Sequence, residues 1–197
     1  MDMQKKSSNG ISLVPLETCL FGERTIFLEG EIDDAAAMEF IKKLMVLTVE
    51  DKYLPIRIMI NTRGGEINSG LLIYDAVATC QTPLKMYCLG KAYSMGAVIF
   101  AAAPKGNRYM LANSELMAHE PLLGNPVQGS SSTICSVSEM ILETKRRLIQ
   151  ILSKHTGRTE EEIELATGYD HFFRAKEAVV FGFADHIIEF SALISGE

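Results

Sequence analysis

The sequence predicts an α/β fold built on a parallel sheet. Between residues 25 and 103, short runs of apolar and β-branched residues alternate with stretches of helical periodicity, in the order strand, helix, strand, helix. A glycine-rich corner follows each of the first strands, which is typical of a chain that must turn sharply or approach a neighbour closely. Such alternation favours parallel pairing with right-handed crossovers.

The composition predicts one globular domain in a reducing compartment. The chain has 197 residues, of which 47% are hydrophobic and 22% charged, so it is long enough to bury a substantial core. The four cysteines form no C-x-x-C pair, so neither a zinc site nor a disulfide framework is expected. We therefore expect a chain without a metal or cofactor of its own.

The charge and hydropathy exclude two classes of partner. The formal net charge is -6 and the basic residues form no stripe, which argues against binding to nucleic acid. No apolar run approaches the roughly 20 residues that cross a bilayer, and residues 1–10 lack the apolar core of a signal peptide. A cytoplasmic protein without membrane contact is expected.

The first half of the chain predicts three strands and two helices. Asp33 or Asp34 offers an N-cap for the first helix. In that helix, Met38, Ile41 and Met45 would lie on one face. Thr82-Pro83 ends the second helix. The strands are 25–29, 56–60 and 84–89, and the helices run over about 33–49 and 66–80.

The second half predicts shorter strands around one long helix. The helix spans about 133–155, and Gly157 lies at its C-terminal end. Thr159 and Glu162 form a capping box for a following helix. The apolar face of the long helix is predicted to be Val137, Met140, Ile141, Leu148 and Ile151. The other elements are strands 108–111 and 115–118, a loop over 122–132, a helix 175–181 and a strand near 187–188.

Ser94 lies where the strand 84–89 gives way to the apolar run 98–103. A hydroxyl at the first turn of a helix caps it by accepting a bond from an orphan backbone N–H. A nucleophile suits the same position, because the N-terminus of a helix offers free donors and partial positive charge to a developing oxyanion. The local sequence leaves both interpretations open.

A serine nucleophile needs a base and an acid that orients it. His119 follows a short apolar strand and precedes a proline, so it is the best-placed base, although a hydrogen-bonded histidine at a strand end would look the same. His155, at the exposed end of a charged helix, and His186 fit solvated or structural roles. Asp170 has little advantage over other carboxylates, because an aspartate in a turn is common.

An oxyanion hole needs two backbone donors that converge. The N–H of Met95, directly after the serine, is one candidate. Gly65 is the other, because neighbouring strands of a parallel sheet end side by side.

Two motif matches lead elsewhere and are discounted. Ala92-Tyr-Ser-Met-Gly96 nearly matches the G-x-S-x-G elbow, but that elbow requires a later acid and histidine at separate positions, and Asp185 and His186 are adjacent. Residues 124–131 have the spacing of a P-loop with serine in place of the essential lysine. The chain therefore has no evident means of using ATP itself.

A set of motifs between residues 23 and 190 resembles a known family in order and spacing. The motifs are Asn61-x-x-Gly-Gly65, Ser94-Met-Gly-Ala97, Lys105-Gly-x-Arg-Tyr109 with Asn113-Ser114, His119-x-Pro121, His155-Thr-Gly157, Asp170-x-Phe172, Ala175-x-Glu-Ala178 and Gly182-x-x-Asp185. They are similar to those of the proteolytic subunit of Clp protease.

The resemblance implies a fold and a division of the chain. The fold is that of ClpP and crotonase, a spiral of β-β-α units with a protruding handle helix, here within residues 119–157. The peptidase domain would span 23–190, after a mobile N-terminal segment 1–22 and before a C-terminal tail 191–197.

The resemblance also implies an activity. Ser94 would be the nucleophile, His119 the base and Asp170 the orienting acid, with Gly65 and Met95 as the oxyanion donors. Substrates would be unfolded polypeptides delivered by a AAA+ unfoldase such as ClpX or ClpC, which would use the ATP. The chain would assemble into heptameric rings, two of them stacked, and a second ClpP paralogue is a further candidate partner.

Several residues depart from the family pattern. Arg63 replaces a usual proline and Glu120 a usual glutamine, next to the oxyanion strand and the base, which points to altered substrate preference. Tyr169 replaces an arginine that helps lock the rings together, while Arg57 and Met59 stand at docking positions that are often aromatic. These departures keep open a regulatory ring subunit, and the fold keeps open a crotonase-type acyl-CoA enzyme.

Overall fold

Seven strands form one sheet in the computed structural model, which describes residues 2–7, 10–124 and 126–195. They are β3 Thr25–Ile32, β4 Ile56–Gly65, β5 Leu84–Tyr93, β6 Arg108–Leu111, β7 Glu115–Ala118, β8 His171–Arg174 and β9 His186–Ile188. Two further strands, β1 Asp2–Ser7 and β2 Gly10–Pro15, form a separate two-stranded sheet. The helices are α1 Leu16–Gly22, α2 Asp34–Glu50, α3 Ile67–Thr79, α4 Met95–Ala101, α5 Ser131–Thr156, α6 Glu160–Thr167, α7 Ala175–Phe181 and α8 Phe190–Ser195.

The sheet is parallel along β3-β4-β5-β6-β9 and forks at β5. The first part of β5, Met86–Cys88, pairs with β6, and its last part, Lys91–Tyr93, pairs with β7. β8 then adds to β7 in antiparallel fashion. The predicted α/β fold with a parallel sheet is confirmed, and the fork brings β7 and β8 to the end of β5, directly beside Ser94.

The apolar run after Ser94 forms α4, whose seven residues are all buried. Small residues let this helix lie against the sheet: a Cβ added to Gly96 would come within 2.6 Å of Thr62 Cγ2 on β4. Ile99 and Phe100 have no exposed surface, and burial of such side chains contributes about 1.5–3 kcal/mol each. The buried helix therefore anchors the turn that precedes it.

The interior face of α2 is not the one that the sequence suggested. Asp33 caps the helix as predicted, through its side chain and the Ala36 N–H. Met38 and Met45, however, are 45% and 62% exposed. Ile41, the third residue of the predicted face, is partly buried and packs against the core. α2 is apolar on two sides, and periodicity alone does not decide which of them faces inward. The residues that face the core are Ala37, Phe40, Leu44 and Leu47.

The long helix α5 is buried only near its C-terminal end. Of the predicted apolar face, Leu148 is buried, whereas Met140 is 56% exposed. The helix ends at Gly157 in the left-handed conformation, with φ 79°, and the capping box of Thr159 and Glu162 starts α6 as predicted. Most of α5 therefore presents its side chains away from the sheet.

Both ends of the chain contain elements that the sequence analysis did not assign. Within the expected mobile segment 1–22, β1 and β2 pair as an antiparallel hairpin and α1 follows, while residues 1, 8 and 9 lie outside the described part. Within the expected tail 191–197, α8 continues to Ser195 and its Leu193 packs on Met59 and Tyr87. Elements of only six or seven residues carry too little periodicity to predict.

Candidate active site

Ser94 occupies a strained turn between β5 and α4. Its backbone has φ 54° and ψ -121°, and its side chain makes no capping hydrogen bond to the helix. A non-glycine residue in such a conformation costs about 1–3 kcal/mol, which the burial of α4 offsets. The helix-cap interpretation is therefore wrong, and the hydroxyl is directed elsewhere.

Two neighbouring strands hold this turn in place. On one side the Ser94 N–H donates to the carbonyl of Met117 on β7, at 2.8 Å. On the other side Gly64 lies against the turn, so that a Cβ added to it would come within 2.8 Å of Ser94 Cβ. Thr62 Oγ1 accepts a bond from the Gly64 N–H at 3.0 Å and fixes the backbone there.

Substitution of Gly64 with alanine should disrupt this turn. The residue has φ +90°, which side chains rarely adopt, and the new methyl group would also lie 2.6 Å from the Tyr93 carbonyl. We expect at least a tenfold loss in the rate at which an active-site probe modifies Ser94, with Gly106→Ala as the control, because Gly106 also has a positive φ but nothing within 4 Å. Equal losses in both variants would contradict a specific role for Gly64.

The Ser94 hydroxyl meets His119. The two atoms Ser94 Oγ and His119 Nε2 are 2.8 Å apart, a hydrogen-bond distance suited to proton transfer from the serine to the ring. His119 is largely buried, with 13% of its side chain exposed. The structure thus brings the predicted nucleophile and base together.

Asp170 lies near the other ring nitrogen without bonding to it. Its Oδ1 is 4.0 Å from His119 Nδ1, and its side chain is 64% exposed. Among the described residues, Nδ1 is buried and has no hydrogen-bond partner. A buried donor without a partner costs roughly 1–3 kcal/mol, so a modest movement of the carboxylate toward His119 would be favourable.

The proximity of His119 and Asp170 follows from strand register. β7 and β8 are antiparallel, and Ala118 pairs with His171. His119 directly follows Ala118, and Asp170 directly precedes His171. The antiparallel pairing therefore places His119 and Asp170 opposite one another. The two residues are 51 positions apart in sequence, and only this pairing makes them neighbours.

A small cleft of about 200 Å³ opens beside the serine and histidine. Gly65 and Met95, the predicted oxyanion donors, both line it. Apart from Glu120, the remaining wall is apolar and comes from Ile67, Val98, Ala118, Pro121, Leu122, Leu148 and Leu152. An apolar pocket next to a nucleophile is suited to an uncharged side chain of a substrate.

Glu120, the residue after His119, contacts the helices α5 and α6. Its N–H donates to the Thr167 carbonyl at 2.8 Å, and its carboxylate lies 3.1 Å from Lys145 Nζ on α5, which also meets Glu164 of α6 at 3.0 Å. Hydrogen bonds to Glu164 and Glu120 raise the pKa of Lys145. Exposed ion pairs of this kind contribute about 0–1 kcal/mol each, so the bridge orients the segment more than it stabilises the fold.

The other histidines take no part in this site. His155 is half-buried, not exposed as expected, and its Nε2 meets the hydroxyl of Tyr74 at 3.1 Å. Burial lowers the pKa of His155. His171 stacks on Phe173, and His186 lies 3.1 Å from the Gly106 carbonyl.

Two residues that contribute to the site were not predicted from the sequence. Tyr93, next to the serine, donates a hydrogen bond to Glu115 at 2.7 Å and packs edge-on against Phe172. Gly64, rather than its neighbour Gly65, contacts the Ser94 turn. The glycine pair was visible as a signal, but which member meets the serine depends on the path of β4. Arg63 and Tyr169 are both exposed, the latter to 88%.

Two features are absent from the described ranges. No helix there is long and apolar enough to cross a membrane. No group of three or more His, Cys, Asp or Glu side chains there is arranged to hold a metal ion.

The parallel sheet, the buried helix after Ser94 and the apolar cleft define an α/β protein of the ClpP/crotonase-like class. The family model for Clp protease matches residues 9–191. The chain therefore belongs to the Clp protease family, as the motifs predicted, and this membership implies a peptidase. The match begins inside the segment 1–22 that the sequence analysis placed outside the resemblance.

Proposed function

We propose that the chain is a serine endopeptidase in which Ser94 attacks the scissile carbonyl and His119 takes its proton. The observation that carries the proposal is the 2.8 Å contact between Ser94 Oγ and His119 Nε2 at the mouth of the apolar cleft. His119 would then donate the proton to the departing amine, and water would hydrolyse the acyl-enzyme by the reverse route. Asp170 would hold Nδ1 of the ring.

The backbone N–H groups of Gly65 and Met95 would stabilise the oxyanion. Both residues line the cleft together with Ser94. Donors of this type act where charge develops during the reaction, and loss of one costs roughly 3–4 kcal/mol of transition-state stabilisation in comparable sites. The cleft would take the side chain that precedes the scissile bond.

The proposed substrates are unfolded polypeptides. We propose that a AAA+ unfoldase such as ClpX or ClpC delivers them and consumes the ATP, that this chain needs no cofactor of its own, and that it assembles into heptameric rings, two of them stacked. The exposed apolar residues Met38, Met45, Val46 and Val49 of α2 are consistent with contact to another protein chain.

A fluorophosphonate probe tests the chemistry directly. We expect covalent labelling of the assembled protein at Ser94 alone, with labelling and peptide hydrolysis both abolished in Ser94→Ala. Ser138→Ala, at an exposed position of α5, is the matched control and should keep both. A protein that is never labelled, or labelling that persists in Ser94→Ala, would refute the proposal.

The second candidate is a weakly active or regulatory subunit of a mixed ring. The unpartnered Nδ1 of His119 and the 4.0 Å gap to Asp170 favour it, because a base without its orienting acid is a poor catalyst. Mixing the chain with an active ClpP paralogue should then change the mass of the assembly and its rate of cleavage. Unchanged mass and rate would argue against this role.

A further inference from the structure

Two polar clefts continue from the candidate active site along the sheet. The first, of about 590 Å³, is the Arg63 cleft, lined by Gly30, Glu31, Asn61, Arg63, Gly64, Gly65 and Lys91. The second, of about 460 Å³, is the Arg174 cleft, and it shares Asn61 and Lys91 with the first. Gly65 also lines the cleft at Ser94, so the three openings adjoin.

Three cations line these two clefts without an ion pair. Arg63 and Arg174 are exposed and Lys91 is half-buried. Within the described ranges, the ion pairs closer than 4.0 Å involve other cations only. Their charges are therefore available to a ligand.

Two carboxylates line the same clefts and only partly offset these charges. Glu115 accepts the hydrogen bond of the Tyr93 hydroxyl, so one of its oxygens is occupied, and hydrogen bonding to Glu115 raises the pKa of Tyr93. Glu31 is exposed at the edge of the Arg63 cleft. Glu29 pairs with Asn61 in the strand register but lines a different cavity, against α1 and α2.

The position of Arg63 relative to Ser94 indicates which part of a substrate the two clefts would contact. Arg63 precedes Gly64, which touches the Ser94 turn, and Gly65, which lines the apolar cleft. A polypeptide that places one side chain in the apolar cleft and continues past Gly65 toward Arg63 would enter the Arg63 cleft. Its following side chains would meet Arg63 and Lys91 first and Arg174 further on.

We infer that the Arg63 and Arg174 clefts form an extended subsite for acidic side chains of the substrate polypeptide. The inference rests on the proposed peptidase function and specifies its substrate preference. The preferred substrate has an uncharged residue in the cleft at Ser94 and Glu or Asp at the positions that lie in the Arg63 cleft. Arginine suits this role, because its planar fork binds a carboxylate through two hydrogen bonds.

The test measures binding, so that it does not depend on turnover. Two fluorescent twelve-residue peptides, identical except for a pair of Glu or of Gln at the two positions that follow an apolar residue, are titrated against assembled Ser94→Ala protein. At low salt we expect the Glu peptide to bind about two- to fivefold more tightly, as for one or two partly exposed ion pairs, and the advantage to shrink at high salt.

Variants assign the effect to the clefts. Arg63→Gln combined with Lys91→Gln and Arg174→Gln should remove the advantage of the Glu peptide, so that the two peptides bind with equal affinity. Lys176→Gln, at an exposed position outside both clefts, is the control and should retain the advantage. Equal binding of the two peptides to the Ser94→Ala protein, no binding of either, or an advantage that survives in the triple variant would each overturn the subsite. Failure of Ser94 to react with the fluorophosphonate probe would instead refute the peptidase.

Discussion

Replacement of Asp185 with asparagine is expected to lower the free energy of unfolding by about 3–5 kcal/mol, the usual cost of removing one partner of a buried ion pair. Arg108 is 1% exposed, and its Nη2 lies 2.6 Å from Asp185 Oδ1. Asp185 Oδ2 accepts three further bonds, from the Gly106 N–H, the Arg108 N–H and Arg108 Nε. The amide would leave the guanidinium charge buried without its counterion.

The pair also joins elements that are distant in sequence. Arg108 Nη1 donates to the carbonyls of His155, at the end of α5, and Gly182, after α7. Loss of the counterion should therefore loosen β6, α5 and α7 together. Urea unfolding at a fixed protein concentration measures the change, and Asp75→Asn, at an exposed position of α3, should stay within about 0.5 kcal/mol of the parent. A loss below 1 kcal/mol for Asp185→Asn would contradict the assigned role.

The difference in the free energy of unfolding between the parent and Asp185→Asn should depend on pH. Burial alone would raise the pKa of Asp185, but the hydrogen bonds and charge of Arg108 outweigh it and hold the pKa below its usual value. A carboxyl whose pKa is lowered by folding stabilises the protein above its unfolded pKa and loses that contribution as the pH falls through the folded value. The gap between parent and Asp185→Asn should be full at neutral pH and should narrow only below about pH 4.

Three short elements were predictable from the local sequence, whereas the strands that hold the Ser94 turn are longer than predicted. β4 continues to Gly65 and β5 to Tyr93, past the predicted ends at 60 and 89. The bounds of β6, β7 and α7 match the predicted ranges, since each is a short apolar run between clear turn residues. The interior face of α2 was not predictable in the same way. Met38 and Ala37 are both apolar, and only packing against the rest of the fold decides which one faces inward.

The identity of the site residues could be predicted from the sequence more fully than their geometry. Motif order indicated Ser94 and His119, and the structure brings them to 2.8 Å. No local signal distinguishes Asp170 from other aspartates, because its place depends on the pairing of β7 with β8. The strain at Ser94 is equally invisible in sequence, since serine rarely adopts a positive φ.

Replacement of Asp170 with asparagine is expected to lower kcat by about 10³–10⁴-fold if Asp170 orients His119. When His119 accepts the proton of Ser94 at Nε2, its Nδ1 carries a proton and must donate it. Within the described ranges, Asp170 Oδ1 is the only carboxylate oxygen that lies within 4.0 Å of His119 Nδ1. The Asp170 side chain is 64% exposed, so it has room to move toward the ring.

The measurement is peptide hydrolysis by the assembled protein, together with the rate of fluorophosphonate labelling at Ser94. Asp170→Asn should lower both while native mass and circular dichroism stay unchanged, because the side chain is 64% exposed and carries little of the fold. Asp75→Asn again serves as the control. Activity within tenfold of the parent would show that His119 works without Asp170. The unpartnered Nδ1 would then be the working state of the site, and the 4.0 Å separation would not need to close.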